Sequence, residues 1–230
     1  MYSKSIFSHD EILQNFHSVK ERMSAAAQSV GRDINDVHLI VVTKTFDTTE
    51  VHPLIDYGHR DFGENRVQEA EQKWSGLKND NPEINLHLIG HLQTNKVKTA
   101  LSIFDSIHTL DSKKILIEIL KYINRPSSVT KEFFIELNLG NEPQKYGLAQ
   151  EEMAIILEDP QYLDKISFNG LMCIPPFEEE PSPYFALLSK IANKFDIKSL
   201  SMGMSSDFEK AIQFGATHIR VGSEIFGTRS

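Results

Sequence analysis

A lysine closes an apolar run at residues 37–44, Val37-His-Leu-Ile-Val-Val-Thr-Lys44. Burying an unpartnered ammonium inside a strand is costly, whereas the carboxyl end of a parallel strand in an α/β fold is where ligands bind. Lys44 is therefore the first candidate for chemistry. Further polar residues and glycines stand where later strands end: Asn65, His87, Asn138, Ser205, Arg220, Gly222 and Ser223. Ser205-Ser-Asp207 opens a helix, where hydroxyls and free backbone N–H groups suit either a phosphate or ordinary capping. Gly222-Ser223 permits close backbone approach and again points N–H groups outward. A lysine amine must be neutral to attack an aldehyde, and burial with nearby cations lowers its pKa. A strand-end lysine facing a phosphate site thus suggests a Schiff base, formed either on a sugar phosphate in an aldolase or on pyridoxal phosphate (PLP).

These residues need a scaffold that brings distant strand ends together. Apolar residues Ile12, Leu13, Phe16, Val19, Met23 and Ala27 recur at helical spacing over 9–30, with Ser8 or Asp10 as cap and Gly31 as stop. Strand patterns follow at 37–44, 60–65, 85–90, 106–110, 131–139, 168–174, 199–203 and 217–221. Helical patterns separate them at 47–58, 66–78, around Lys96 and Lys98, and at 112–124, 149–158, 182–195 and from Ser205 to about Phe214. Strand starts recur mostly every ~20–35 residues, the length of a βα unit. Eight such units predict a single-domain (β/α)8 TIM barrel over 1–230, with the 9–30 helix plugging or flanking it. An open doubly wound sheet is the alternative, but eight strands are many for it and no Gly-x-Gly-x-x-Gly follows the first strand. In a barrel all the candidate residues converge on one mouth.

Composition narrows the class. The hydrophobic and charged fractions, 40% and 24%, are ordinary for a globular protein. A net charge of −8 argues against sequence-independent nucleic-acid binding, which needs clustered excess Lys and Arg. No run approaches a membrane span and no apolar signal-peptide core opens the chain. The one cysteine, Cys173, lies in an apolar strand pattern and reads as a buried thiol in a reducing compartment, hence the cytoplasm. No exposed hydrophobic dimer face is evident, so a monomer is expected. His87 and His91 have metal-ligand spacing, but they flank a strand end and Gly90, so no metal site is expected.

Eight segments in order carry a resemblance: Val42-Thr-Lys-Thr45, Phe62-Gly-Glu-Asn65, His87-Leu-Ile-Gly-His-Leu-Gln93, Asn95-Lys96, Gly170-Leu-Met172, Ile174-Pro-Pro176, Ser201-Met-Gly-Met-Ser205 with Asp207, and Arg220-Val-Gly-Ser-Glu-Ile-Phe-Gly227. Together they resemble the pyridoxal phosphate homeostasis protein family, whose fold is similar to the N-terminal barrel domain of alanine racemase. The resemblance implies that Lys44 holds PLP as a Schiff base and that Ser205, Gly222 and Ser223 bind its phosphate. It places Arg220 against the pyridine nitrogen and Asn65 and His87 along the cofactor. Lys145 resembles a second family lysine near a secondary cofactor site; a solvated loop lysine is the alternative.

Arginine is always protonated and only donates, so it leaves the pyridine nitrogen unprotonated. The ring is then a weaker electron sink than where a carboxylate keeps that nitrogen protonated. The sequence stops at Ser230, soon after the eighth strand, so no second β domain is expected to bring a racemase's tyrosine base. The implied function is a PLP-binding protein of vitamin B6 homeostasis that buffers the cofactor or delivers it to recipient apoenzymes without robust catalysis. A racemase-like PLP enzyme is the alternative.

Overall fold

The computed structural model describes residues 5–227. Eight parallel strands close in sequence order into a barrel: β1 (His38–Val42), β2 (Asp61–Glu64), β3 (Asn85–Leu88), β4 (Ser106–Leu110), β5 (Glu132–Leu137), β6 (Gly170–Cys173), β7 (Ser199–Met204) and β8 (His218–Val221). β8 closes on β1 with His38 opposite His218 and Ile40 opposite Arg220. This is the predicted (β/α)8 barrel and not an open sheet. The expected span of 1–230 includes residues 1–4 and 228–230, which lie outside the described residues.

Ten helices accompany the strands: α1 (His9–Ser29), α2 (Thr48–Asp56), α3 (Val67–Asp80), α4 (Val97–Ile103), α5 (Lys113–Leu120), α6 (Gln150–Glu158), α7 (Pro160–Leu163), α8 (Ser182–Lys194), α9 (Phe208–Gln213) and α10 (Ser223–Phe226) among the described residues. α1 starts at a reciprocal cap in which the Ser8 N–H donates to Glu11 (2.8 Å) and the Glu11 N–H to Ser8 Oγ (3.4 Å). Its apolar stripe Ile12, Phe16, Val19 and Met23 is buried, each such side chain stabilising by about 1.5–3 kcal/mol. The helix flanks the barrel and does not plug it. It packs on α2, α9 and α10, and Arg22 bridges Glu209 (2.7 Å) and Glu224 (2.8 Å).

Period-two alternation sorts the strand residues. Leu39, Val41, Phe62, Leu86 and Leu88 face the helices and join the main apolar core. The opposite set meets across the barrel axis. His218 of β8 lies 5.7 Å from His108 of β4 and 5.1 Å from Phe134 of β5, ring centre to ring centre. Strands that are not neighbours touch only through the interior, so these rings fill the amino-terminal half of the barrel.

β1 is shorter than its apolar run predicts. It ends at Val42, because Thr45 takes φ +70° and turns the chain. At β7 the ladder to β8 shifts between Ser201 and Met204, where Gly203 sits at φ +92°. A Cβ there would lie 2.5 Å from that of Ala211, so only glycine lets α9 pack this closely.

Candidate functional site

The carboxyl ends of β1, β2, β7 and β8 surround a cavity of about 540 Å³, lined by Lys44, Asn65, Ser205, Arg220, Gly222 and Ser223 among others. Six of the seven residues that the resemblance assigns to the cofactor are therefore brought together, and Val42, Phe46, Ile89, Ile174 and Met204 form apolar walls. Phe46 is held by Phe226, with ring centroids 4.7 Å apart, which ties the loop after β1 to α10.

His87, expected along the cofactor, is the exception: it does not line this cavity. Its ring faces the interior as alternation requires, but one layer too deep. It meets His108 (N···N 3.1 Å) and Asp61 (3.2 Å) and lines a separate cavity at the amino-terminal end with His38 and His218. Ile89, two residues on, is the β3-side residue that reaches the mouth. Alternation gives the face of a strand residue and not its depth.

The β7 and β8 ends form a cradle of donors. The N–H groups of Ser205, Ser206 and Ser223 have no acceptor among the described residues, while the Gly222 N–H donates to Ser205 Oγ (3.4 Å). Side-chain capping, the ordinary role for Ser205 or Asp207, is not what is found. Asp207 instead accepts from the Met204 N–H (2.6 Å), closing the turn and leaving the donors open. Gly222 packs against Val42, whose carbonyl would lie 3.0 Å from an added Cβ.

Arg220 projects from β8 into the interior and is buried, donating to Ser201 Oγ (2.7 Å) and to the Cys173 carbonyl (3.2 Å). Burial pulls its pKa below the ordinary value, with Cys173, Glu136 and Asp207 acting the other way. A guanidinium has ample reserve and remains charged. Ser201 also contacts His108 Nδ1 (2.8 Å), so an interior chain runs Arg220–Ser201–His108–His87–Asp61 from one end of the barrel to the other. Burial holds the His108 pKa well below its usual value, so this ring is neutral.

On the β2 side, Asn65 presents a buried Oδ1 with no partner among the described residues. Its backbone is pressed by Gly90, where an added Cβ would lie 2.4 Å from the Asn65 carbonyl oxygen. Behind the Lys44 loop lies a buried ionic cluster. Glu64 accepts from Thr43 Oγ1 (2.6 Å), Lys73 Nζ (2.7 Å) and Trp74 Nε1 (3.0 Å).

Sequence reasoning missed Glu136. Burial pushes its carboxyl up to about 7, nearby Asp111 adds to this, and Arg220 opposes it. It lines a small cavity beside the mouth with Asn138, Lys145, Tyr146 and Ile174. The available signal was its strand parity with Phe134 and Asn138, which puts a carboxyl on the interior face. Asn138 organises the following loop by donating to the Glu142 carbonyl (2.8 Å). Lys145 is paired with Glu142 (2.5 Å) and donates to the Pro175 carbonyl (3.3 Å), outside the Lys44 cavity.

Cys173 is buried, and burial pushes its thiol up to about 12. His91 stacks on Tyr146 at 3.7 Å and meets Asp111 (2.5 Å), while His87 faces the other end of the barrel. No helix among the described residues is long and apolar enough to cross a membrane.

Comparisons with known proteins bear on the family and the fold. The family model described as the alanine racemase N-terminal domain matches residues 11–230. The pyridoxal phosphate homeostasis protein of Aquifex aeolicus is 36% identical over 220 residues, covering 92% of this chain and 95% of the relative. That of Escherichia coli K12 is 33% identical over 230 residues, covering 96% and 97%. Among solved structures, PipY of Synechococcus elongatus with PLP bound has a TM-score of 0.79 at 30% identity, covering 91% of this chain and all of that one (100%). Alanine racemase from Corynebacterium glutamicum shares the fold, with a TM-score of 0.65 at 14% identity, and this chain spans 61% of its length.

Proposed function

The chain belongs to the pyridoxal phosphate homeostasis protein family, and from that premise we propose that it holds PLP on Lys44 and buffers the cofactor or delivers it to apoenzymes. The observation that carries this reading is the convergence of an amine, a phosphate-type cradle and a buried guanidinium on one cavity.

The residues present fit the group. The N–H donors of Ser205, Ser206 and Ser223, which have no acceptor among the described residues, suit a phosphate together with the nearby hydroxyls. The orphaned Oδ1 of Asn65 waits for a donor such as a ring hydroxyl. Lys44, from the adjoining strand end, supplies the amine for a Schiff base. Arg220 lies at the inner end of the cavity, suited to donate to an unprotonated ring nitrogen. PLP supplies an electron sink for carbanions when bound, and an arginine at its ring nitrogen weakens that sink. Ser201 and the Cys173 carbonyl hold the guanidinium in place, so the site binds and orients more than it activates. His87 has no part in this proposal, because it opens to the opposite end. The buried, free Cys173 fits a reducing cytoplasm, and the proposal takes the protein to act there as a monomer.

The test is transfer. Protein loaded with PLP and freed of excess is mixed with an apoenzyme that needs the cofactor. Recovery of that enzyme's activity, with matching loss of bound PLP, is the expected result. Racemisation or α-hydrogen exchange of free amino acids at the rates of a working enzyme would contradict the carrier role.

A further inference from the structure

Lys44 lies between two threonines, and one face of α3 holds both. On its amino side, the Thr43 N–H continues the ladder to the Gly63 carbonyl (3.0 Å) and Oγ1 donates to Glu64 (2.6 Å). The Thr43 carbonyl accepts from Lys73 Nζ (2.6 Å). On its carboxyl side, Thr45 sits at φ +70°, a conformation that a β-branched residue rarely adopts. Its N–H donates to the Glu69 carboxylate. Lys73, buried and one helical turn beyond Glu69, joins the two acids, at 2.7 Å from Glu64 and 3.6 Å from Glu69.

We propose that Glu69, braced by Lys73, is a positioning residue that aims the Lys44 amine into the mouth; this rests on the reading that Lys44 captures an aldehyde. The two peptide planes flanking Lys44 set the direction of its Cα–Cβ bond. Lys73, on the Thr43 carbonyl, fixes the first plane, Glu64 holds the Thr43 side chain, and Glu69 fixes the second plane. The strained φ of Thr45 persists because the carboxylate occupies its N–H. Without that acceptor the turn relaxes towards negative φ, the second plane rotates, and the amine swings away from the cradle at Ser205, Gly222 and Ser223. A small misplacement of a reacting group is enough to slow a reaction strongly. The two acids and the buried lysine around the loop thus act on the geometry of capture and not on phosphate recognition, which belongs to β7 and β8.

The experiment separates those two functions in the full-length chain. Covalent capture is followed as the rate of borohydride-trapped adduct on Lys44, and non-covalent binding as the affinity for pyridoxine 5′-phosphate, which has the same ring and phosphate but no aldehyde. In Glu69→Ala, capture should slow by roughly tenfold or more while that affinity changes less than about twofold. Glu69→Gln keeps an acceptor oxygen and should stay near the wild-type rate. Adding Thr45→Gly to Glu69→Ala should recover much of the rate, because glycine takes positive φ without a steric cost. This double variant also serves if the single one folds poorly. An unchanged capture rate in Glu69→Ala overturns the inference, as do parallel losses of capture, affinity and thermal stability, or no recovery in the double variant. If the wild-type chain itself gives no adduct on Lys44, the carrier reading fails instead, so the two failures are distinct.

Discussion

Arg220 and Glu136 are both pushed towards neutrality by burial, and only the carboxyl yields. The Glu136 pKa rises from 4.5 to about 7, so its stabilising, protonated form is fully present below pH 4.5 and is lost as pH rises through 7. Glu136→Gln keeps the neutral shape at every pH. The variant should match wild type near pH 4 and exceed it near pH 8 by on the order of 2–3 kcal/mol, measured by urea unfolding at both values. An equal difference at the two pH values would show that Glu136 does not titrate this way. Residue types at strand ends marked Lys44, Ser205, Arg220, Gly222 and Ser223 as candidates, and the structure gathers all five on one cavity. Glu136 was not legible, because a glutamate in a strand looks like an ordinary solvated residue until its neighbours' facing is known. Asn65 and His87 looked equivalent in the sequence and are not: both face inward, but only Asn65 stands at the mouth.

α3 does more than cover β2. It carries Glu69, Lys73 and Trp74 on one face, and its buried lysine answers the buried Glu64. Burial raises the Glu64 pKa, with Lys73 as the largest opposing influence. Lys73→Met should therefore cost about 3–5 kcal/mol in unfolding free energy by stranding the acid. The double variant Glu64→Gln with Lys73→Met should recover a substantial part of that loss, read from the same denaturation curves. A double variant no more stable than the single one would mean that packing, not charge, sets the cost. The periodicity predicted this helix over 66–78, and it runs Val67–Asp80; what it does for the loop after β1 could not be read from spacing. The apolar pattern likewise ran β1 on to Lys44, whereas the strand stops at Val42 because a contact from α3 fixes Thr45 in a turn. Such tertiary override of a local pattern is where single-sequence reasoning loses an element's end. The short α7 was missed for another reason: its start signals, Asp159 as cap and Pro160 at the first position, are local, but four residues are too few for a periodic pattern.

For the whole molecule, the barrel was legible from alternation alone, because eight apolar strands separated by helices have few ways to bury both faces. Its interior contents were not. The amino-terminal half is packed with His38, His87, His108 and His218, and burial lowers His218 from 6.5 to about 3 and His108 well below its usual value. The folded pKa values of His108 and His218 lie below the unfolded one, so the stability these two allow is present above pH 6.5 and is lost as pH falls below it. Between pH 6.5 and 4, unfolding free energy should fall by more than about 1.4 kcal/mol per pH unit, the slope of one proton. His218→Phe should flatten that fall, and an unchanged slope would exclude His218 as a contributor. At the other end of the barrel, Lys44 is the residue proposed to hold the cofactor. The most direct measurement is to add PLP to the purified chain, reduce with borohydride and map the labelled peptide. A pyridoxyl group on Lys44 of the wild-type chain, with no label at that position in Lys44→Ala, is the predicted result. A chain that binds PLP but carries no label on Lys44, or carries it on another lysine, would contradict the site described above.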